Sequence, residues 1–406
     1  VSGAGALNID YKNRTVEVDG VVLKEGDFIS LNGTTGEIYN GQVETKAAEL
    51  SGDFAELMAL CEKYTKLVVR TNADTPHDAQ VARDFGAVGI GLCRTEHMFF
   101  EAEKIVAMRE MILSQDAEGR KVALAKLLPY QKADFYGIFK AMDGCPVNVR
   151  LLDPPLHEFV PHDLKGQEEM AKAMGVTVEY IKQRVDSLCE ANPMLGHRGC
   201  RLGNTYPEIT EMQTRAILGA AVQLKKEGGN PIPEIMVPLT GILYEFEAQE
   251  KVIRETAAAL FAEEGVSVDF KVGTMIEIPR AALTANRIAS RAEYFSFGTN
   301  DLTQMTFGYS RDDIASFLPV YLEKKILKVD PFQVLDQNGV GQLVEMAVER
   351  GRAVRPELKC GICGEHGGEP SSVKFCHKVG LNYVSCSPFR VPIARLAAAQ
   401  AAVEEA

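Results

Sequence analysis

The sequence has no apolar run long enough to span a bilayer, and its first residues, VSGAGALNID, show no basic region followed by an apolar segment. It is not basic either, since 44 Lys and Arg stand against 56 Asp and Glu, a net charge of −12. These absences argue against a membrane protein and against a general binder of nucleic acid. An anionic substrate would therefore have to be held by local arginines.

The nine cysteines show no framework spacing for disulfides, because they are odd in number and scattered along the chain. This pattern suits a reducing compartment, and the ending VEEA lacks a peroxisome-type tail, so we expect a cytosolic location. Cys360 and Cys363 have CxxC spacing, but no second Cys or His pair accompanies them. A zinc site and a thioredoxin-type motif are both weak interpretations.

The chain also lacks a Gly-rich dinucleotide fingerprint, which lowers the odds of an open doubly wound sheet. With 406 residues and 46% hydrophobic content, it can bury a large core, and one barrel-sized domain with an appendage fits best. Residues 11–40 alternate short β-type runs with tight turns such as Asp19-Gly20 and Asn32-Gly33. Residues 1–40 would be marginal alone, and we expect the end of a β-rich domain there.

Residues 41–66 form a predicted linker, with helical spacing of apolar residues from Ala47 to Lys66. From there to residue 406, strand and helix patterns alternate. Eight segments read as strands: 67–70, 87–92, 147–152, 234–239, 271–278, 294–297, 358–363 and 383–387. This predicts an α/β fold, a (β/α)₈ TIM-type barrel with long insertions after strands two, three and six.

Two intermediate segments carry specific predictions. Residues 280–291 have the pattern of one amphipathic helix. Residues 196–202, GHRGCRL, are a possible ninth strand, but they contain two glycines and two arginines where a barrel strand should be apolar. We therefore predict a loop with a short extended piece at 196–202.

The stretch from Tyr294 to Asp313 carries the clearest chemical signal. A short aromatic strand, YFSF, leads into Gly298-Thr299-Asn300-Asp301, a predicted loop with exposed N–H groups, an amide and a carboxylate. Asp301 alone could be a helix cap. However, the preceding strand also ends in a carboxylate, Glu277, and adjacent parallel strands would bring the two together. Two oxygen ligands suit Mg²⁺ or Mn²⁺.

Other polar residues follow the remaining predicted strands, and a barrel places active residues at the carboxyl ends of its strands. Arg94 ends strand two, and Arg150 lies in the apolar run VNVRLLD, where an unpaired guanidinium would be costly. Anions best explain such arginines, although a surface ion pair is the usual role of a lone one. Cys363 is a buried inert thiol by default, but among glycines after a strand we expect it to be exposed to the site.

The supporting residues are less certain in role. Arg198 lies in the insertion after strand three. Glu365 and His366 follow Cys363, and they either orient it or cap the next segment.

Arginines, two carboxylates with a metal, N–H donors and a thiol together suit one kind of chemistry. Arginines and metal hold a phosphorylated acid and offset charge as a phosphoryl group moves. A thiol can deliver a proton to carbon. Together they fit an enol phosphate that becomes a keto acid, with the metal stabilising the enolate oxygen.

Long motifs across essentially the whole chain closely resemble the C-terminal phosphoenolpyruvate (PEP)/pyruvate-binding domain of the pyruvate, phosphate dikinase family, which belongs to the PEP-utilising enzymes. PEP synthase and enzyme I of the sugar phosphotransferase system share this barrel, but the forms CRTEHMF, LLDPPLHEF and GYSRDD resemble the dikinases. The motifs are GIGLCRTEHMFF (89–100), VRLLDPPLHEF (149–159), NPMLGHRGCRL (192–202), MIEIPRAAL (275–283), SFGTNDLTQMTFGYSRDD (296–313) and CGICGEHGGEPSS (360–372).

The resemblance implies catalytic roles for Cys363, Arg94 and Arg150, with Cys363 as the proton donor at carbon 3 of the substrate. It also implies that Glu277 and Asp301 bind Mg²⁺. The implied substrate-binding residues are Arg94, Arg150, Arg198, Glu277, Gly298, Thr299, Asn300 and Asp301.

The resemblance further implies a homodimer and a partner domain. In the family, a histidine on a swivelling domain carries phosphate from an ATP-grasp domain to the barrel. None of the seven histidines here stands in a Thr-Ser-His-Ala type motif. We therefore expect residues 1–40 to be the remnant of that swivel domain without its histidine, and the chain to be a fragment unable to perform the ATP- and phosphate-dependent half-reaction.

Two other functions stay open from the residues alone. A metal-dependent aldolase or lyase acting on pyruvate enolate would also use a barrel with a Glu/Asp pair and arginines. A non-catalytic module that only binds substrate would need no thiol.

Overall fold

The computed structural model describes residues 7–11, 13–32, 35–45 and 51–405, without the side chains of residues 102 and 103. The chain divides into two compact units, Val1–Ser51 and Gly52–Ala406. In the part of the chain so described, no helix combines the length and apolar character that crossing a membrane requires.

The first unit consists of short antiparallel strands. A three-stranded sheet and a separate two-stranded hairpin contain them: β1 (Asn8–Asp10), β2 (Thr15–Val18), β3 (Val21–Lys24), β4 (Ile29–Asn32) and β5 (Glu37–Asn40). Asp19 and Gly20, both at positive φ, form the predicted turn between β2 and β3. The predicted Asn32-Gly33 turn falls partly on Gly33, outside the described residues. The origin of this unit as a swivel-domain remnant stays a prediction.

The second unit is a closed barrel in which every neighbouring pair of strands is parallel. Its strands run in chain order around the barrel: β6 (Val68–Asn72), β7 (Ile90–Arg94), β8 (Pro146–Arg150), β9 (Ile232–Val237), β10 (Lys271–Ile276), β11 (Tyr294–Phe297), β12 (Lys359–Ile362) and β13 (Tyr383–Cys386). The predicted (β/α)₈ barrel and its eight strands are confirmed, and an open sheet is excluded.

Helices connect the strands, and the long insertions occupy residues 95–145, 151–231 and 298–358, as predicted. The α-helices are α1 (Asp53–Tyr64), α2 (Pro76–Asp84), α3 (Ala102–Leu113), α4 (Ala117–Ala141), α5 (Leu164–Met174), α6 (Val178–Leu188), α7 (Gly199–Thr205), α8 (Pro207–Lys226), α9 (Leu243–Glu264), α10 (Pro279–Leu283), α11 (Ala285–Ala289), α12 (Thr299–Phe307), α13 (Leu318–Glu323), α14 (Val340–Val354), α15 (Pro370–Lys378) and α16 (Val391–Glu405). Short 3₁₀ turns lie at Glu96–Phe99, Leu156–Phe159, Pro193–Leu195, Ile314–Ser316, Glu365–Gly368 and Pro388–Arg390.

Two predicted segments differ from the structure. The single helix expected over 280–291 is broken at Thr284, whose hydroxyl donates to the Arg280 carbonyl and competes with the helical hydrogen bonds. The linker helix begins at Asp53, while residues 46–50 lie outside the described part.

The segment 196–202 is not the predicted loop, because helix α7 begins at Gly199 directly after extended Arg198. The Gly199 N–H donates to the Asp153 carbonyl, and the Cys200 N–H donates to the Pro238 carbonyl. Gly199 has a φ of 57°, and a Cβ there would lie 2.7 Å from Leu239 Cβ. Contacts with the ends of neighbouring strands therefore start this helix, and local sequence does not reveal them.

The barrel interior contains a polar layer as well as apolar side chains. Arg70 is 1% exposed and pairs with Glu234 at 2.6 Å, and Glu234 also accepts from Lys359 at 3.2 Å. The Arg70 guanidinium lies 4.2 Å from the centre of the Tyr383 ring. Such charges are tolerated inside a barrel because each is paired.

Two strand glycines leave room for the interior tyrosines. A Cβ on Gly361 would lie 2.1 Å from Tyr383 Cζ, and a Cβ on Gly273 would lie 2.5 Å from Tyr294 Cδ1. Real Cβ atoms do not approach rings so closely. The two rings therefore occupy positions that only glycine on the adjacent strands permits.

We expect Gly361→Ala to lower the free energy of unfolding by about 1–3 kcal/mol, because the new methyl group overlaps the Tyr383 ring. Gly219→Ala is the matched control, since a Cβ there has only Lys132 Cε at 3.5 Å, an ordinary contact within helix α8. That control should gain about 0.5–1 kcal/mol, as alanine replaces glycine inside a helix. Urea denaturation measures both, and equal stabilities would show that the ring shifts aside without cost.

Candidate active site

The carboxyl ends of several barrel strands surround a cavity of about 190 Å³. Of the residues predicted for the site, the cavity is lined by Arg94, Arg150, Arg198, Glu277, Gly298, Asn300, Asp301 and Cys363. Thr299 is the predicted residue that does not line it. The strand-end rule for barrels thus brings together residues that are far apart in the sequence.

A line of alternating charges crosses the floor of this cavity. Arg150, at the end of β8, donates to Glu96 and pairs with Asp153 at 2.9 Å. Asp153 Oδ2 also pairs with Arg198 at 3.2 Å, and Arg198 pairs with Asp301 at 3.1 Å. All five groups are largely withdrawn from water, with side chains at most 13% exposed. Each charge is therefore balanced mainly by its neighbours.

The interpretation of Arg150 as a guanidinium needing an anion is therefore corrected, because Glu96 and Asp153 already balance it. Arg94 differs. Its nearest carboxylate oxygen is Asp74 Oδ2, at 4.0 Å, and its side chain is 26% exposed. The same Asp74 accepts from the Arg94 backbone N–H at 2.6 Å and contacts His97 Nδ1 at 2.7 Å, which fixes the end of β7. Arg94 is the cavity arginine best able to receive an external anion.

Glu277 follows β10 and is 1% exposed. Its Oε1 accepts from the Leu239 N–H at 2.6 Å, and Leu239 holds a φ of 58°, a strained value for a branched side chain. Burial, together with Asp153 and Asp301, raises the pKa of Glu277 well above the usual range of a carboxyl. A buried acid beside two other carboxylates favours a proton or a cation.

Gly298 to Asp301 do not form the predicted loop, because helix α12 starts at Thr299. The first N–H groups of a helix have no intrahelical partner, so they still provide the expected anion-binding donors. A Cβ on Gly298 would lie 2.5 Å from Met275 Sδ and 2.8 Å from Glu277 Oε2, so only glycine lets this backbone come so close.

Thr299 faces away from the cavity and supports its wall. His366, fully buried, lies with Nδ1 at 2.8 Å from Thr299 Oγ1 and Nε2 at 2.9 Å from the Pro331 carbonyl. Burial lowers the pKa of His366, so the neutral ring is favoured. Glu365 is exposed and does not line the cavity. Of these two, His366 is thus the one that contacts a predicted site residue.

Cys363 lines the cavity but is only 1% exposed, so the prediction of an exposed thiol is wrong as regards solvent. Its Sγ lies 3.6 Å from the Phe297 carbonyl, to which it donates. Burial raises the pKa of the Cys363 thiol, and Ser296 and Arg150 offset only part of that shift. The thiol therefore stays protonated at neutral pH, as an acid must.

Sequence reasoning missed two polar neighbours of Cys363. The Ser296 side chain lies next to both the Cys363 thiol and the Tyr383 hydroxyl, and it lowers the pKa of each against the larger effect of burial. Alternation along YFSF places Ser296 on the same strand face as Tyr294, which is a signal that the interior of the barrel is polar there.

The oxygen atoms around the cavity fit a hard divalent cation. Glu277 and Asp301 supply carboxylates, and Asp153 Oδ1 and Asn300 Oδ1 are buried oxygens without a hydrogen-bond donor among the described residues. Oxygen-only donors of this kind suit Mg²⁺. Within the described ranges, no three His, Cys, Asp or Glu residues are arranged to hold a metal by themselves. Any cation would complete its coordination with water or substrate.

Curated relatives are similar to nearly the whole chain. Pyruvate, phosphate dikinase of Clostridium symbiosum is 60% identical over 404 residues, 99% of this chain and 46% of that protein. The enzyme of the same name from Giardia intestinalis is 57% identical, covering 100% of this chain and 46% of the relative. Pyruvate, phosphate dikinase 1, chloroplastic, of Arabidopsis thaliana is 57% identical over 99% of the chain and 42% of the relative. The chain thus spans less than half the length of these relatives.

The model of one protein family, described as PEP-utilising enzyme, PEP-binding domain, matches residues 48–403. This range contains the whole barrel and every residue that lines the cavity. The chain belongs to the family of PEP-utilising enzymes and contains their PEP-binding domain.

Proposed function

We propose that this chain performs the PEP/pyruvate half-reaction of a pyruvate, phosphate dikinase. In this reaction, a phosphoryl group moves between PEP and a carrier histidine, and pyruvate is the other product or reactant. The observation that carries the proposal is the cavity itself, in which arginines, two carboxylates, helix N–H groups and a protonated thiol face one volume. Relatives named pyruvate, phosphate dikinase support the same conclusion.

Arg94 and Arg150 bind the phosphoryl group and the substrate, and Arg198 assists. Arg94 is the most available of the three, because no carboxylate lies closer than 4.0 Å to it. Arg150 and Arg198 are held in fixed positions by Asp153, which pairs with both. Fixed guanidinium groups stabilise charge as it moves, without reorganising during the reaction.

Glu277 and Asp301 hold Mg²⁺ in this proposal. The metal, when bound, supplies positive charge to the enolate oxygen. Gly298, Thr299 and Asn300 hold the substrate, Gly298 and Asn300 at the cavity wall and Thr299 through its helix N–H. These donors act on the substrate carboxylate and oxygens.

Cys363 supplies the proton at carbon 3. When PEP gives its phosphoryl group to the carrier histidine, the P–O bond to the enol oxygen breaks and an enolate remains. The Cys363 S–H proton then moves to the methylene carbon, which becomes the methyl group of pyruvate, and the sulfur keeps the electron pair as thiolate. In the reverse direction, the thiolate removes this proton and the enolate oxygen takes the phosphoryl group.

The proposal requires a partner. The carrier histidine would stand on a swivel domain, of which residues 1–40 are the proposed remnant, while residues 41–66 link it to the barrel at 67–406. The ATP- and phosphate-dependent half-reaction belongs to domains outside this chain. A homodimer and a cytosolic location stay predictions.

The test supplies the carrier separately. PEP and Mg²⁺ are incubated with the chain, with and without a swivel domain that carries its histidine, and a third arm contains pyruvate and an aldehyde. Pyruvate and phosphohistidine should form together only when the carrier is present. Consumption of pyruvate in the aldehyde arm, with no effect of the carrier, would instead identify a lyase and reject the proposal.

We expect Cys363→Ala to lower the rate of pyruvate formation from PEP by roughly 10²–10⁴-fold, the usual contribution of a general acid. Affinity for PEP should stay nearly unchanged, because the arginines and carboxylates remain. Coupled assay of pyruvate and equilibrium binding of PEP measure the two effects. Cys360→Ala is the control, since its Sγ contacts the Leu358 carbonyl and does not line the cavity. Unchanged turnover in Cys363→Ala would reject the role of the thiol.

Asp301→Asn should weaken Mg²⁺ binding by about tenfold or more, equal to about 1.4 kcal/mol, because one charged ligand becomes neutral. Titration of PEP binding against Mg²⁺ concentration measures this effect. Asp313→Asn is the matched control from the same segment, because its carboxylate accepts from Ser310 and does not line the cavity. If Asp301→Asn kept the Mg²⁺ dependence of the unaltered chain, Asp301 would not be a ligand.

A further inference from the structure

Asn148 is a buried amide inside the barrel, on β8, that joins tyrosines from two other strands. The Tyr294 hydroxyl donates to Asn148 Oδ1 at 3.0 Å, and Asn148 Nδ2 donates to the Tyr383 hydroxyl at 3.4 Å. Asn148 has no exposed surface and does not line the cavity. It therefore cannot contact a substrate there, and its effect on the site must pass through its neighbours.

Both tyrosine rings are fixed in place. Gly273 and Gly361 provide the space against which Tyr294 and Tyr383 pack, where any Cβ would overlap the rings. The Arg70 guanidinium lies 4.2 Å from the centre of the Tyr383 ring and is itself paired with a buried carboxylate. The remaining freedom of Tyr383 is the rotation of its hydroxyl proton.

The amide determines the direction of that proton. A carboxamide has an acceptor end and a donor end, so once Tyr294 donates to Oδ1, the amino group faces Tyr383. The Tyr383 oxygen then accepts, and its own proton must point elsewhere. Ser296 lies next to both the Tyr383 hydroxyl and the Cys363 thiol, and its Oγ is buried with no hydrogen bond of ordinary geometry in the described part of the chain. Ser296 is thus the available acceptor.

We propose that Asn148, locked by Tyr294, is a positioning residue that directs the Tyr383 hydroxyl proton toward Ser296 and thereby orders the polar surroundings of the Cys363 thiol for proton delivery to carbon 3. This inference rests on the proposed function, because it assigns a support to the proton donor. Asn148 itself exchanges no proton. The bond that breaks is the Cys363 S–H bond, and the bond that forms is C–H.

The test follows the fate of the proton separately from binding. Asn148→Leu, Tyr294→Phe, Tyr383→Phe and the double variant Asn148→Leu/Tyr383→Phe are assayed with the carrier domain in H₂O and D₂O. The readouts are the rate of pyruvate formation, its solvent isotope effect and the affinity for PEP. Asn204→Leu is the control, because this half-buried amide bonds to Gln249 and to the Glu245 carbonyl, away from the cavity.

Asn148→Leu should lower the rate of pyruvate formation by about tenfold and increase the solvent isotope effect, while affinity for PEP changes by less than about twofold. Tyr383→Phe should have a similar effect, and the double variant should be no slower than either single variant, because the two act through one hydroxyl. Tyr294→Phe removes a single oxygen and should give a smaller loss of the same kind. It keeps the test decisive if Asn148→Leu fails to fold.

Several outcomes overturn the inference. Multiplied losses in the double variant would show independent action, and a parallel fall in PEP affinity, shared by Asn204→Leu, would show a merely structural effect. A normal proton step in Asn148→Leu and Tyr294→Phe, with loss in Cys363→Ala, would reject the positioning role alone. A normal proton step in Cys363→Ala would instead reject the proposed function on which it rests.

Discussion

The buried line of charges from Glu96 to Asp301 is the constraint on which the carboxyl face of the barrel depends. Charged groups withdrawn from water are tolerated when each has a partner, and removing one member leaves its neighbour uncompensated. The members come from four segments: the turn after β7, the end of β8 with the residues that follow it, the residue before α7 and the start of α12. The same line that balances the charges therefore fixes these insertions over the cavity.

The proposed function would use this line without disturbing its overall balance. A cation at Asp301 would replace a charge that Arg198 now supplies at 3.1 Å, and a substrate anion would give Arg198 a new partner. The cation and the anion would thus compensate each other at the same place. Binding both together costs less electrostatic energy than binding either alone, since neither leaves an unpaired buried charge.

Beneath the cavity, the barrel interior has a second organised layer. Glycines on two strands admit the rings of Tyr294 and Tyr383, and Asn148 connects their hydroxyls. This layer is rigid because packing fixes the rings and hydrogen bonds fix the amide. A thiol whose burial holds it protonated gains its environment from this layer rather than from solvent.

The sequence by itself determined the eight strands, their order and most of the cavity residues. Apolar strand runs alternate with amphipathic helices, and a parallel barrel gathers all strand ends on one face, so position relative to a strand end predicts position in space. The adjacency of Glu277 and Gly298 followed in the same way, since β10 pairs with β11 in register.

Only the tertiary structure decided the partners of Arg150, the helix after Arg198 and the burial of Cys363. Each of these depends on contacts with segments distant in sequence, and on how much water those segments exclude. The alternation of side chains did place Asn148 with Arg150, and Tyr294 with Ser296, on shared strand faces. Which face turned inward, and which side chains met there, was decided by closure of the barrel, because packing and desolvation are properties of the assembled fold.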